Sequence, residues 1–342
     1  MDGSGKIAWF HPRGDSALFD RCYTMADGTC PLEVKRVNSF IARRVSAAAA
    51  LLVLCTAAAF TAGTSTPDQR ESSYHGIERL SINAEYADVY VEGGSGNTVQ
   101  VTIENLNPRQ ADVQGSGGKL EITVEPNRGR LLFSRSRARI IVRGFSGSEL
   151  FAEVSSGDMD IHDIRADQVA LRSASGNVVA DSIAAQVEAR ASSGNMRLSG
   201  ITGNVSARTS SGELVLAGIR GTLDAESSSG SLEVNDAEGK VTLGSSSGSI
   251  RIIRVAGVLS CRASSGSISG TAVTLKGDSQ FHTSSGEIRL QLANRLDSLA
   301  LNLRSTTGEI QIGSQRARGQ MVRSAGSPSL EATAGSGAIR VE

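Results

Sequence analysis

The chain has 342 residues, of which 38 are glycine and only 4 % are aromatic, so a thin core of small aliphatic side chains is favoured over a thick core of rings. Lys plus Arg (35) equals Asp plus Glu (35), which excludes a global positive field, and no nucleic-acid partner is expected. Three of the four cysteines, Cys22, Cys30 and Cys55, precede or lie within a candidate export signal. An exported form would keep only Cys261, expected to be a small buried hydrophobe, so no disulfide framework is expected.

The first 63 residues indicate export rather than a folded domain. Residues 1–36 are interpreted as an unstructured leader or as the product of a start codon assigned too early. Arg43 and Arg44 then precede an uncharged, alanine-rich run, which is typical of a secretory signal peptide over residues 37–63. One alternative is a retained membrane anchor, because the uncharged run is about long enough to span a bilayer. The other is lipidation at Cys55, which the bulky Leu54 disfavours. We therefore expect a periplasmic, cell-surface or secreted protein that touches a membrane only through this segment, if it is uncleaved.

The next part of the chain predicts β-structure after a short linker. Residues 64–76 are polar and are interpreted as that linker. Apolar and polar residues then alternate in short runs separated by glycine-rich turns, as in residues 80–84, 99–103 and 120–124, which predicts half-buried strands. Residues 77–150 are expected to form a less regular β part that caps one end of the repeat region, with the basic residues 128–143 as an irregular insertion.

From residue 151 onward, a Ser-Ser-Gly motif recurs in ten copies and organises the chain. The steps between its glycines are 19, then 18 five times, then 20, 22 and 29, and such a period indicates stacked copies of one structural unit. The glycines predicted to turn the chain are Gly157, Gly176, Gly194, Gly212, Gly230, Gly248, Gly266, Gly286 and Gly308, with Gly337 in a degenerate last copy.

Columns of apolar residues on both sides of each glycine predict the fold. Residues two and four after the glycine, and five and seven before it, are apolar in nearly every copy, and spacing by two is the strand period. Each copy then supplies two short strands with inward side chains. Successive copies run in the same direction, so we expect an all-β, single-stranded parallel β-helix (β-solenoid) with about 18 residues per rung and ten rungs over about 50 Å.

The serines of the motif are expected to stack on one another and to form hydrogen bonds that stabilise the corner. Glycine permits the backbone angles of a tight corner, and a serine hydroxyl can bond to backbone groups or to the serine of the next rung. A row of catalytic serines is not expected, because no His or Lys recurs beside them as a base.

These residues resemble a bacterial family of unknown function known as the "putative adhesin" domain family. The resemblance covers residues 77–342 and rests on the stretch 82–91, the strand at 118–122 and the Ser-Gly turns from Ser156-Gly157-Asp158-Met159 onward. It implies an exported β-solenoid that resembles an autotransporter adhesin.

Three outward-facing arginines are the candidate contact residues. Arg172, Arg190 and Arg208 stand four residues before their glycines, so in-register stacking places them about 5 Å apart on one face. Glu188 and Asp224 could offset their repulsion. Such a row could contact anionic cell-envelope glycans, and the alternative is a solvated face of locally paired charges.

No other residue cluster predicts a site. Asp158, Asp160 and His162 share the outer face of one strand, but the later copies do not repeat these groups, which favours a solvated face over a cation site. No catalytic residue, cofactor site or metal site is therefore predicted.

The sequence favours a non-enzymatic, exported, adhesin-like interaction scaffold for envelope glycans or surface proteins. The first alternative is a β-helix enzyme that binds or cleaves polysaccharide, although no carboxylate pair or aromatic sugar platform is visible. The second is an envelope scaffold that self-associates into polymers, because residues 339–342 would end the chain on an uncapped strand.

Overall fold

The computed structural model describes residues 69–106, 109–125 and 137–342. The predicted leader, the signal segment and the start of the linker lie outside these described residues. Within them, the chain forms 27 β-strands of one continuous sheet and one short 3-10 helix, Leu296–Ser298. No helix in the described ranges is long and apolar enough to cross a membrane.

The strands fall into an N-terminal group, a regular middle group and a C-terminal group. The N-terminal strands are β1 (Gln69–His75), β2 (Arg79–Ala84), β3 (Asp88–Gly93), β4 (Thr98–Glu104), β5 (Ala111–Ser116), β6 (Lys119–Val124) and β7 (Arg139–Phe145). The middle strands are β8 (Glu149–Ser156), β9 (Met159–His162), β10 (Arg165–Ser175), β11 (Val178–Asp181), β12 (Ala184–Ser193), β13 (Met196–Ser199), β14 (Val205–Thr209), β15 (Leu214–Ala217), β16 (Leu223–Ser227), β17 (Leu232–Asn235), β18 (Glu238–Ser245), β19 (Ile250–Ile253), β20 (Ala256–Ser265), β21 (Ile268–Leu275), β22 (Ser279–Ser285) and β23 (Ile288–Leu292). The C-terminal strands are β24 (Ala300–Ile312), β25 (Gln315–Arg323), β26 (Ser329–Ser336) and β27 (Ile339–Val341).

In the middle group, each copy of the motif forms one coil of a β-solenoid. The strand before the corner pairs in parallel with the equivalent strands of the neighbouring coils, and so does the strand after it. Partners such as Val187, Val205 and Leu223 are 18 residues apart. The predicted inward columns are buried, with Ile161, Leu198 and others at 0 % exposure, because the alternate side chains of both strands meet between the two sheet faces.

The N-terminal strands extend the stack instead of only capping it. β2 and β3 pair in parallel with β8 and β9, and β6 and β7 stack in turn on β2 and β3. β5 is antiparallel to β6, β4 to β7, and β1 to β4. Two predictions are corrected: residues 69–75 form a strand rather than a linker, and residues 139–143 belong to a regular strand rather than to an irregular insertion.

At the C-terminal end, the stacking order departs from the chain order. β26 pairs in parallel with both β22 and β24, and β27 pairs with both β23 and β24. The last copy of the motif is therefore inserted between the two copies that precede it. The Asp278 carboxylate contacts the inserted copy, since its Oδ1 accepts hydrogen bonds from the Ser329 N–H at 2.9 Å and the Ser329 hydroxyl at 2.7 Å.

This insertion corrects the expectation of an uncapped terminal strand. The last strand, β27, has a partner on each side, and β25 lies antiparallel against β24 at this end of the stack. Arg316, Arg318 and Arg323 lie on β25. Charges on an edge strand oppose pairing with another chain, which removes the observation behind the polymer alternative. The stack holds ten coils from the motif and two from the N-terminal strands, two more than predicted.

Candidate functional site

The corner of each coil requires glycine because the backbones stack too closely for any side chain. A Cβ on Gly176 would collide with the carbonyl oxygen of Gly157, and a Cβ on Gly194 would collide with that of Gly176. The φ angles of Gly176 and Gly194 are +146° and +113°, a region that other residues rarely adopt. Close stacking is thus the reason for the glycine column, and the backbone angle adds to it.

The hydroxyl that forms hydrogen bonds with the corner glycine belongs to the residue one position before the predicted Ser-Ser pair. Ser227, three residues before the corner glycine, is buried; its Oγ donates to the Gly230 carbonyl at 3.1 Å and accepts from the Gly230 N–H at 3.0 Å. Ser228 and Ser229, which form the motif's pair in this copy, are exposed. Across the described residues, the hydroxyls of the Ser-Ser pairs make no side-chain hydrogen bond, because only the inward residue can reach the turn.

A long shallow groove runs along this corner and encloses about 740 Å³. The outward-facing residues four positions before each corner glycine form the side wall of the groove. The small residues three and two positions before each glycine form its floor. We call it the arginine groove, after the arginines in its wall. It is lined by Glu153, Val154, Ser155, Arg172, Ser173, Ala174, Arg190, Ala191, Ser192, Arg208, Thr209, Ser210, Glu226, Ser227, Ser228, Gly244, Ser245, Ser246, Arg262 and Ser264. It crosses seven coils, a length of about 30 Å.

The three predicted arginines stack in register on the groove wall. Arg172 pairs with Arg190 across β10 and β12, and Arg190 pairs with Arg208 across β12 and β14. The same register continues the wall through Glu226 and Gly244. The sequence spacing predicts one column for these residues, and the structure brings them together.

Neighbouring carboxylates neutralise the middle of the wall, as the sequence predicts. Arg190 lies 2.7 Å from Glu188. Arg208 lies 3.0 Å from Glu226 and 3.3 Å from Asp224. The hydrogen bond to Glu226 raises the pKa of Arg208 above its ordinary value. Arg208 is therefore committed to partners within the protein.

The two ends of the wall differ from its middle. Arg172 places its guanidinium 5.4 Å from the centre of the Phe151 ring, a cation–π contact that orients the group without neutralising it. Arg262 pairs in register with Gly244. Within the described residues, neither Arg172 nor Arg262 has an ion pair, and both are exposed. Arg262 was not among the predicted contact residues, although it stands in the same sequence column.

Gly244 differs from the corner glycines because it has space for a side chain. A Cβ at this position would make only an ordinary contact, 3.5 Å from the Cγ of Glu226. The backbone therefore accepts a larger residue here, unlike at the corner. The missing side chain leaves a gap in the wall between Glu226 and Arg262.

The acidic cluster around Asp158 is part of a ladder that joins coils. Asp158 Oδ1 accepts from the Asn177 N–H at 2.9 Å and from the Asn177 side-chain amide at 3.1 Å, and Asn177 Oδ1 accepts from the Asn195 N–H at 3.2 Å. Asp160 lies 2.5 Å from His162. No group of three or more His, Cys, Asp or Glu side chains in the described ranges is arranged to hold a metal ion.

Cys261 occupies the core as predicted. It is 2 % exposed, and burial raises the pKa of its thiol. A buried, protonated thiol packs as a small hydrophobe and is a poor nucleophile.

A family model matches most of the described chain. The model of the Toastrack family, DUF4097, matches residues 77–257 and 239–342. No curated protein matches the sequence.

Several solved structures are similar over most of their length but at low identity. A putative adhesin from Bacteroides fragilis is 11 % identical, with 82 % of this chain and 98 % of that chain covered and a TM-score of 0.36. A putative lipid binding protein from Parabacteroides distasonis is 18 % identical, with 82 % and 98 % covered and a TM-score of 0.38. A putative cell adhesion protein from Clostridium sporogenes is 10 % identical, with 81 % and 99 % covered and a TM-score of 0.23.

Proposed function

This chain belongs to the Toastrack family, and we propose that it is an exported, non-enzymatic, adhesin-like scaffold whose arginine groove holds an acidic glycan of the cell envelope. The observation that carries the proposal is the groove itself. It crosses seven coils, and cationic side chains project from its wall over a floor of small residues. The candidate signal segment at residues 37–63 supports export to the compartment where envelope glycans are found.

The chemistry of the groove suits a sugar polymer better than a protein segment. Small hydroxyl side chains such as Ser192, Ser210 and Ser246 line it, and each can donate to or accept from a sugar hydroxyl. Guanidinium groups bind carboxylates and sulfates through paired, charge-assisted hydrogen bonds. The lining includes no large apolar anchor of the kind that dominates protein interfaces.

The test is binding of the full chain to an acidic polysaccharide, with neutral dextran as the reference ligand. We expect polygalacturonate to bind and the triple variant R172S/R190S/R208S to lose about 10-fold or more in affinity, since each charge-assisted contact contributes about 1 kcal/mol. Binding should weaken as salt is raised.

A matched triple variant controls for net charge. Arg197, Arg251 and Arg289 are exposed outward residues on the strands that follow the corner, so R197S/R251S/R289S removes the same charge from another face. An equal loss in both triple variants would contradict a groove-specific ligand. The glycan is sized before and after incubation, and shortening would favour the polysaccharide-cleaving alternative over a scaffold.

A further inference from the structure

We propose that the arginine groove anchors an acidic glycan at two separated points and therefore requires a minimum ligand length. The first anchor is Arg172, and the second is Arg262. This inference rests on the proposed function and adds to it the class of ligand, a linear acidic polysaccharide that spans six coils.

The distribution of ion pairs along the wall carries the argument. Arg208 is bound by Glu226 at 3.0 Å and by Asp224 at 3.3 Å, so an incoming anion would have to displace two carboxylates. Arg172 has the Phe151 ring rather than a carboxylate against it. Arg262 has no ion pair within the described residues. Positive charge that remains for a ligand is thus concentrated at Arg172 and Arg262.

The register fixes the distance between the anchors. Arg172, Arg190, Arg208, Glu226, Gly244 and Arg262 are consecutive partners in neighbouring coils. Five steps of about 4.8 Å separate Arg172 from Arg262 by about 24 Å. A ligand shorter than this can reach only one anchor, whereas a longer one gains the second contact as an intramolecular event at high effective concentration.

The gap at Gly244 keeps the path between the anchors open. The glycine is not required by the backbone, because a Cβ there would lie 3.5 Å from Glu226 Cγ, an ordinary contact. A long side chain at this position would fill the wall directly beside the second anchor. Glu153, which pairs in register with Arg172, places a negative charge beyond the first anchor. An acidic polymer is therefore favoured to extend from Arg172 toward Arg262 rather than past Glu153.

The experiment measures the affinity of the full chain for purified oligogalacturonates, from the disaccharide to the dodecasaccharide. Wild type should show a step of about 5-fold or more in affinity at the first oligomer that reaches about 24 Å. R262S should abolish the step, because the second anchor is lost. R172S should lower the affinity for every length.

Three further variants keep the result decisive. G244E should abolish the step while leaving the melting temperature within the wild-type range, because the backbone accepts a side chain there. R262Q repeats the test of the second anchor with a bulkier neutral side chain, in case serine alters the local packing. R251S, on the other strand face, should change neither the step nor the short-oligomer affinity.

The failure of this inference is distinguishable from failure of the proposed function. If no oligomer or polymer binds, the glycan-binding function itself is overturned, and the two-anchor arrangement with it. If the oligomers bind but affinity rises smoothly with length, or if the step survives R262S and R262Q, only the two-anchor arrangement is overturned. A step that vanishes in R262S and G244E supports it.

Discussion

The corner and the arginine groove are adjacent along every coil but use their residues in opposite ways. At the corner, Gly194 stacks closely on Gly176 of the neighbouring coil, and Ser227 forms hydrogen bonds with Gly230 in its own turn. On the groove wall, Gly244 has space around it, and Arg262 has no ion pair within the described residues. The glycine that recurs at every corner therefore marks the close contact between coils, while the interrupted column lies on the exposed surface.

Glycine substitutions should separate the two regions most strongly. We expect G194A to destabilise the protein by about 3 kcal/mol or more, because the new Cβ collides with a backbone carbonyl and the φ of +113° strains alanine. G244A should change the free energy of unfolding by less than about 0.5 kcal/mol. Urea denaturation followed by circular dichroism measures both, and equal effects of the two variants would refute the distinction.

Serine substitutions should show a smaller difference of the same kind. S227A removes a buried hydroxyl that donates to the Gly230 carbonyl and accepts from its N–H, so a loss of about 1 to 2 kcal/mol is expected. S228A removes an exposed hydroxyl without a side-chain hydrogen bond in the described structure and should lie within about 0.5 kcal/mol of wild type. If S228A proved the more damaging variant, the assignment of the corner bond to the inward residue would be wrong.

The smallest expected effect is a pH-dependent contribution to stability from a hydrogen bond between two coils, outside the corner. Ser199 and then Ser182 donate hydrogen bonds to Asp181 and lower the pKa of this carboxyl in the folded state. A lowered folded-state pKa gives a stabilisation that is complete above the unfolded value of about 4 and is lost as pH falls through the folded value. The stability difference between wild type and D181N should therefore shrink as the pH falls below about 4.

The control for this prediction is the hydroxyl donor. In an S199A background, most of the pH-dependent difference between Asp181 and D181N should disappear, because the first cause of the pKa shift has been removed. Urea denaturation of the four proteins at about pH 6 and at about pH 3 gives the comparison. A stability difference between wild type and D181N that stays constant with pH would contradict a stabilising hydrogen bond to the Asp181 carboxylate.

The regular coils were predictable because their constraints are local and repeated. The position two residues after each corner glycine is filled by residues such as Met196, Leu214 and Ile250, and all three are buried where the strand period places them. The arginine column was predictable for the same reason, since equal spacing in sequence becomes in-register stacking. The same sequence column continues past Glu226 and Gly244 to Arg262, which the sequence alone did not single out as a contact residue.

The ends were not predictable because their contacts depend on which coil lies next to which. The last copy, with Gly337, was expected to follow the copy of Gly308, yet β26 lies between β22 and β24. The step of 29 residues between those glycines leaves room for β25 to form and for the chain to return. The pairing of β26 and β27 on both sides reveals the insertion, and Ser329 donates hydrogen bonds to Asp278 across it.

The order of residues was enough to establish that residues 77–342 form a β-structure, that glycine turns each coil, and which side chains face the core. These features follow from the two-residue strand period and from a motif repeated ten times. The folded chain was needed to establish the order of coils at both ends, the hydroxyl that bonds the corner, and the groove along the wall. Each of these depends on distances between coils, which a single sequence does not carry. The space that surrounds Gly244 is one example.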